Sequence, residues 1–318
     1  MRLNWVRTVF SNGRHNLCVG NFVRWRGAYH ICFVDAHHHG ALDGHLRVIS
    51  STDLETWDTC VAMAATSFDP QLLPLGDRML IYGVQGDWEG DDFQGFPSRE
   101  VVAETRDLKT WTEPRRCFVA NHDFWTPIEL DGRYYLTCDD CGHVPEGMSG
   151  TVDLLTSTDG ERWHWVSEVV RGSEEYSRIP SETALCPLPD GRLLAVVRTK
   201  LPRAVLATAP PPYVEWERTI VPHALQGAAP ARVGDRVVIA GRAADESGEP
   251  RTAVFEYRDG ALELGLYLPS GRDTGYSGLY AVSGNEVLIA YYSGHEYPDS
   301  DERVTHGPCD IYLASVSL

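Results

Sequence analysis

Positive charge is scarce in this chain of 318 residues: 28 Lys and Arg stand against 45 Asp and Glu, a formal net charge of −17. Such a surface repels a phosphate backbone and no Lys/Arg cluster offsets it, so nucleic acid is excluded as an expected partner. No run reaches the roughly 18 apolar residues of a membrane helix. The N-terminal MRLNWVRTVFSNGRHN also lacks the apolar core of a secretion signal. The expectation is a cytoplasmic protein with no membrane partner. Helical periodicity is nearly missing, which leaves an α/β reading without support. Disulfide-type cysteine spacing is missing too. The eight cysteines at 18, 32, 60, 117, 138, 141, 186 and 309 lie mostly inside apolar strands, as reduced thiols do. One close pair, Cys138-Asp-Asp-Cys141 with His143 nearby, has the spacing of half a zinc site, or is two ordinary thiols at a strand end. No second CxxC completes it, so no metal or other cofactor is expected.

What the chain does contain is repetition. The segments SSTDLETW (50–57), ETRDLKTW (104–111) and TSTDGERW (156–163) resemble one another, and APPPYVEW, ending at Trp216, is a degenerate fourth. Their tryptophans, Trp57, Trp111, Trp163 and Trp216, recur about every 50 residues, the period of propeller blades. Between them lies a second recurring unit, a Val/Ile/Leu/Tyr-rich hairpin with a Gly/Asp/Asn turn. It occurs six times: NFVRWRGAYHICFV, PQLLPLGDRMLIYGV, TPIELDGRYYLTC, TALCPLPDGRLLAVV, APARVGDRVVIAG and GLYAVSGNEVLIAYY. The reading is an all-β, six-bladed propeller formed by residues 1–318 as one domain, with CDIYLASVSL pairing with the N-terminal segment to close the ring. Blade five, whose outer turn reads only EYRDGALELG, leaves five blades as the alternative.

In an antiparallel hairpin, residues whose numbers sum to a constant face each other. Applied to the open ends, this rule sets Arg14, His15 and Asn16 against His37 and His38, and Trp125 against Asp139. It sets Glu182 against Arg198 and Gly227 against Arg242, with Tyr276 near Ser293 and His295; Asp87 ends the second hairpin. Polar residues at one register in all six hairpins point to a site at the axial mouth. Guanidinium groups from separate blades can hold a carboxylate bidentately.

The S-x-D-x-G-x-T-W pattern of the repeats resembles the Asp-box of the sialidase superfamily, and the resemblance extends over nearly the whole chain. Two copies depart from it, with Leu54 and Leu108 where that family has Gly. The resemblance implies a retaining glycoside hydrolase acting on a carboxylate-bearing sugar. It implies Tyr276 as nucleophile, Glu182 as the base that activates it, Arg14, Arg198 and Arg242 as the carboxylate clamp, and Asp43 as acid/base. The family's Arg-Ile-Pro entry motif is displaced: Arg178-Ile179-Pro180 precedes Glu182, while the first blade has Arg14-His15-Asn16.

The run DAHHHG (35–40) departs furthest from that family. His37 or His38 can act as a general base or bond a sugar hydroxyl, and strand alternation lets at most two of the three histidines face the axis. Asp139 and Asp140 are candidate hydroxyl contacts. Trp88, Phe93, Phe124 and Trp125 are candidate stacking surfaces. Two rivals share the fold: a uronate lyase or hydrolase using His37 or His38, and a carbohydrate-binding propeller without catalysis.

Overall fold

Each apolar run between the Gly/Asp/Asn turns becomes one strand of an antiparallel meander, because the turns reverse the chain after each short run and leave no length for a crossover. The computed structural model describes residues 1–41, 43–63, 67–86, 98–140, 148–297 and 307–318. Over these residues the chain forms six sheets built of strands, arranged as the blades of a propeller. No helix long and apolar enough to cross a membrane occurs among them.

Blade 1 is made of Asn16–Trp25, Ala28–Ala36, His45–Ser51 and Asp58–Met63, from the axis outward. The innermost strands of the next four blades begin at Ser67–Leu75, Asp123–Phe124, Ser181–Pro187 and Gln226–Val233. Blade 5 is complete, with Arg258 paired to Ala261 in its outer hairpin, so the five-bladed alternative is excluded. Blade 6 takes three strands, Thr274–Ser283, Glu286–Ser293 and Asp310–Ser317, from the chain's end. Its outermost strand, Arg2–Phe10, comes from the chain's start, and the ring closes through pairs such as Trp5 with Ser315.

Middle strands are buried on both faces because a blade packs on either side of them, which is why they read as unbroken apolar runs rather than alternating ones. Leu193–Arg198 and Glu286–Ser293 are examples. Leu17, Ile31 and Phe33 of blade 1 pack with Leu288, Tyr292 and Ile311 of blade 6 across the closing seam.

The three clear repeats fold into one turn. The Asp53 carboxylate accepts the N–H groups of Glu55 and Thr56 at 2.8 and 2.9 Å; Asp107 and Asp159 do the same for the equivalent amides. The Thr110 and Lys109 amides hold the Asp107 carboxyl down at about 2. The residue after the Asp is left-handed each time: Leu54 at φ 64°, Leu108 at 63° and Gly160 at 72°. The two leucines pack on core clusters, and that burial offsets a backbone conformation that favours glycine.

The innermost ladders are irregular where they approach the axis. Register shifts interrupt them between Val19 and Phe22, Phe68 and Gln71, Ser181 and Ala184, Gln226 and Ala229, and Thr274 and Ser277. Blade 3 breaks instead into Asp123–Phe124 and Ile128–Leu130. The simple sum rule therefore misses its partners there. Ser181, not Glu182, faces Arg198; Gln226, not Gly227, faces Arg242; and Asp123, not Trp125, faces Asp139. An inserted residue re-aims the side chains around it. Asp69 and Glu182, at φ 49° and 42°, are turned out of the ladder in this way.

Candidate functional site

The starts of innermost strands and the ends of second strands meet around a cavity of about 350 Å³. Blade 1 contributes Asn16, Cys18, Val34 and Ala36, followed by His38 and His39; blade 2 contributes Phe68 and Asp69. Blades 3 and 4 add Asp123, Trp125, Asp139, Ser181, Glu182, Arg198 and Lys200, and blade 6 adds Tyr276.

At its centre the Tyr276 hydroxyl donates to Glu182 Oε1 at 2.6 Å, and Arg198 pairs with the same oxygen. The other oxygen, Oε2, accepts the Gly227 amide at 3.2 Å. Gly227 is itself at φ 55°, and a Cβ there would lie 2.6 to 2.8 Å from Tyr276 atoms, so glycine is what lets blade 5 close on the tyrosine. Asp139 Oδ2 accepts the Glu182 amide at 2.9 Å and Trp125 Nε1 at 2.5 Å. The Trp125 ring stacks on Tyr276, centroids 6.0 Å apart at 4°. Burial, reinforced by the charge of Asp69 and opposed by Arg198 and Arg242, pushes the Tyr276 phenol well above its ordinary value of 10. The phenol is therefore protonated at neutral pH, and Glu182 is the acceptor at hand.

Asp69 was not among the candidate residues from sequence. It lines the cavity half-buried, and burial pushes its carboxyl up to about 6, with the charges of His39 and Arg198 pulling the other way. Its signal was available: Ser67-Phe68-Asp69 opens the second blade as Ser181-Glu182 opens the fourth, displaced by one residue. Lys200 and His39 also line the cavity without having been singled out.

Other candidates fall elsewhere. Arg14 is exposed and its guanidinium does not line the cavity. Arg242 is outside the lining, bonding Gln226 Oε1 at 2.8 Å and the Thr274 carbonyl at 3.1 Å, 3.6 Å from Asp273. Of the three arginines only Arg198 reaches the cavity, where it meets Glu182, so the expected clamp is not assembled. Asp43 is exposed and accepts the His37 amide at 3.2 Å, outside the cavity. His37 is exposed as well; the two histidines that line the wall are His38 and His39.

Asn16, 1% exposed, lines the wall, whereas His15 pairs with Asp35 at 2.6 Å, outside the lining. Asp140 caps the neighbouring strand by accepting the Thr151 amide at 2.9 Å. His295, also outside, lies 2.9 Å from Ser293 Oγ, and burial lowers its pKa. Phe124 is core, packed on Tyr82 and Trp163. Asp87, Trp88, Phe93, Cys141 and His143 lie outside the described residues. Among the described residues no group of His, Cys, Asp and Glu is placed to hold a metal ion.

No protein-family model matches this chain, and no curated protein matches it in sequence. Solved structures do resemble it. A protein of unknown function from Dyadobacter fermentans is 18% identical with a TM-score of 0.79, the match covering 100% of this chain and 99% of that one. The Hadza microbial sialidase Hz136 is 15% identical with a TM-score of 0.71, over 95% of this chain and 66% of that one. A Trypanosoma rangeli sialidase in complex with sialic acid is 12% identical with a TM-score of 0.67. That match covers 99% of this chain and only 57% of the trypanosomal one. At such identities the likeness is one of fold, a sialidase-like six-bladed propeller.

Proposed function

We propose that the protein is a glycoside hydrolase acting with retention on a carboxylate-bearing sugar, through a covalent Tyr276 intermediate. The observation that carries this reading is the Tyr276 hydroxyl 2.6 Å from Glu182 Oε1 on the wall of the axial cavity. A neutral phenol is a weak nucleophile, and a carboxylate within hydrogen-bond reach is what makes it competent. Tyrosine nucleophiles are a recognised exception to the two-carboxylate scheme of glycosidases. A neutral nucleophile also avoids repelling an anionic substrate.

Tyr276 Oη attacks the anomeric carbon while its proton passes to Glu182 Oε1. Asp69, which lines the cavity, gives its proton to the departing glycosidic oxygen. Water then attacks the tyrosyl glycoside and loses its proton to Asp69, while the released phenolate recovers the proton from Glu182. Arg198 and Lys200, the Arg and Lys groups on the wall, face the substrate carboxylate, with Asn16, His38 and Asp139 available to sugar hydroxyls. Sialidases among the structures of similar fold, one of them with sialic acid bound, support a sialic acid as the first substrate to try.

The test is turnover of an aryl sialoside, with mass spectrometry of protein incubated with a 2,3-difluoro sialic acid. The expected result is a glycosylated Tyr276 and a loss of about 100-fold or more in Tyr276→Phe and Glu182→Gln. Unchanged turnover in both variants overturns the assignment. Binding of a sugar acid with no turnover makes the protein a carbohydrate-binding propeller instead.

A further inference from the structure

One residue of the cavity wall, with the carboxylate beside it, has no task in that scheme. His39 lines the wall, and its Nδ1 lies 3.1 Å from Asp273 Oδ2. Asp273 is 4% exposed and is gripped from three blades: Asn16 Nδ2 donates at 2.9 Å, the Tyr292 hydroxyl donates at 3.1 Å, and Arg242 Nη1 lies 3.6 Å away. A carboxylate held so firmly fixes the imidazole. By accepting the Nδ1 proton it makes Nε2 the nitrogen through which the ring can act as a base. This is the arrangement of a general base, built from a residue of the DAHHHG run that neither neighbour, His37 or His38, shares.

We propose that His39, oriented by Asp273, is a general base and that the same cavity also cleaves 4-linked hexuronate chains by β-elimination. Three groups are needed for that reaction, and the wall carries each of them. His39 Nε2 takes the proton from C5, next to the carboxylate. Arg198 and Lys200 stand where a cation can acidify that proton by pairing with the carboxylate. Tyr276, whose phenol burial keeps protonated, supplies a proton to the departing oxygen. The electrons of the C5–H bond form the C4=C5 double bond, the C4–O bond breaks, and the leaving sugar departs as an alcohol. His39 then loses its proton to solvent and Tyr276 regains one, so no oxidant or second substrate is consumed. A cavity of about 350 Å³ accommodates a single sugar ring in the reacting position.

The experiment incubates the full chain with polygalacturonate, heparosan and alginate oligosaccharides. It follows the ultraviolet absorbance of the conjugated double bond and confirms by mass that the product is one water lighter than a hydrolytic one. The expected result is unsaturated ends from at least one polymer. The rate should fall about 100-fold or more in His39→Gln, and about 10-fold in kcat with KM unchanged in the positioning variant Asp273→Asn. His37→Gln, outside the cavity, keeps the wild-type rate. Failure to form an unsaturated product from any of the three, or wild-type elimination by a folded His39→Gln, overturns the proposal. Neither outcome touches the Tyr276 glycosyl adduct, on which the hydrolase reading stands or falls separately.

Discussion

Asp69 and Glu182 occupy equivalent bulges in the second and fourth blades, yet their surroundings act on the two carboxyls differently. Glu182 takes donors from Tyr276, Gly227 and Arg198 on its two carboxyl oxygens. Asp69 is governed by burial, which favours the neutral acid and holds its carboxyl near 6. A group whose folded pKa is raised contributes stability below its unfolded value, and that contribution is lost as pH rises through the folded value. Asp69→Asn should therefore leave stability unchanged at pH 3 and raise it by on the order of 1 to 3 kcal/mol at pH 8, measured by urea unfolding at both pH values. The same protonation governs its proposed work as an acid. Turnover of an aryl sialoside by the wild type should decline as pH rises above about 6, and Asp69→Asn should abolish that limb. A pH-independent rate between 5 and 8 would contradict the assignment of Asp69 as the acid.

At the scale of elements, the repeated Asp turns and the bulged inner strands differ in how far the sequence reveals them. The turns were plain in the spelling, since Ser/Thr, Asp and Trp recur at fixed spacing and each has a bond to make. That left-handed Leu54 and Leu108 stand in for glycine was visible as a departure; the apolar packing that makes it tolerable was not. Gly160 has no such freedom, because an added Cβ would sit 3.0 to 3.1 Å from Leu73, Leu75 and Leu80. Gly160→Ala should cost about 1 to 3 kcal/mol in chemical denaturation, and Leu54→Gly clearly less.

The bulges were illegible. A hairpin sum assumes one residue against one, and nothing in Ser181-Glu182-Thr183 announces the extra residue. The rule thus brought Glu182 and Arg198 to the same mouth with the wrong backbone partner, and it overlooked Asp69 altogether. Arg14 and Arg242 were misplaced for a related reason. Strand register says where a Cα lies, but not that Gln226, Thr274 and Asp273 will engage the Arg242 guanidinium outside the lining.

For the whole molecule, the decisive joint is the one between Arg2–Phe10 and Asp310–Ser317. Six blades were countable from six hairpins, and the closing strand was legible because CDIYLASVSL had no hairpin partner of its own. Trp5, Val6, Val9 and Phe10 pack on the clusters of the closing seam. Deleting residues 1–10 should strip this outer strand and leave the Asp310–Ser317 edge open. The expected outcome is a melting temperature lower by about 10 °C and light scattering that grows with protein concentration. A variant that melts like the full chain would show that the joint is dispensable.

That joint also sets a timetable for biosynthesis. Ribosomes add about 5 to 20 residues per second, so Arg2–Phe10 leaves the exit tunnel on the order of tens of seconds before Asp310–Ser317 is made. Five sheets can form in order as they emerge, whereas Arg2–Phe10 must wait for Asp310–Ser317. Throughout that interval its apolar Trp5, Val6 and Phe10 lack their destination, which makes the opening ten residues the natural place for a nascent-chain chaperone to hold.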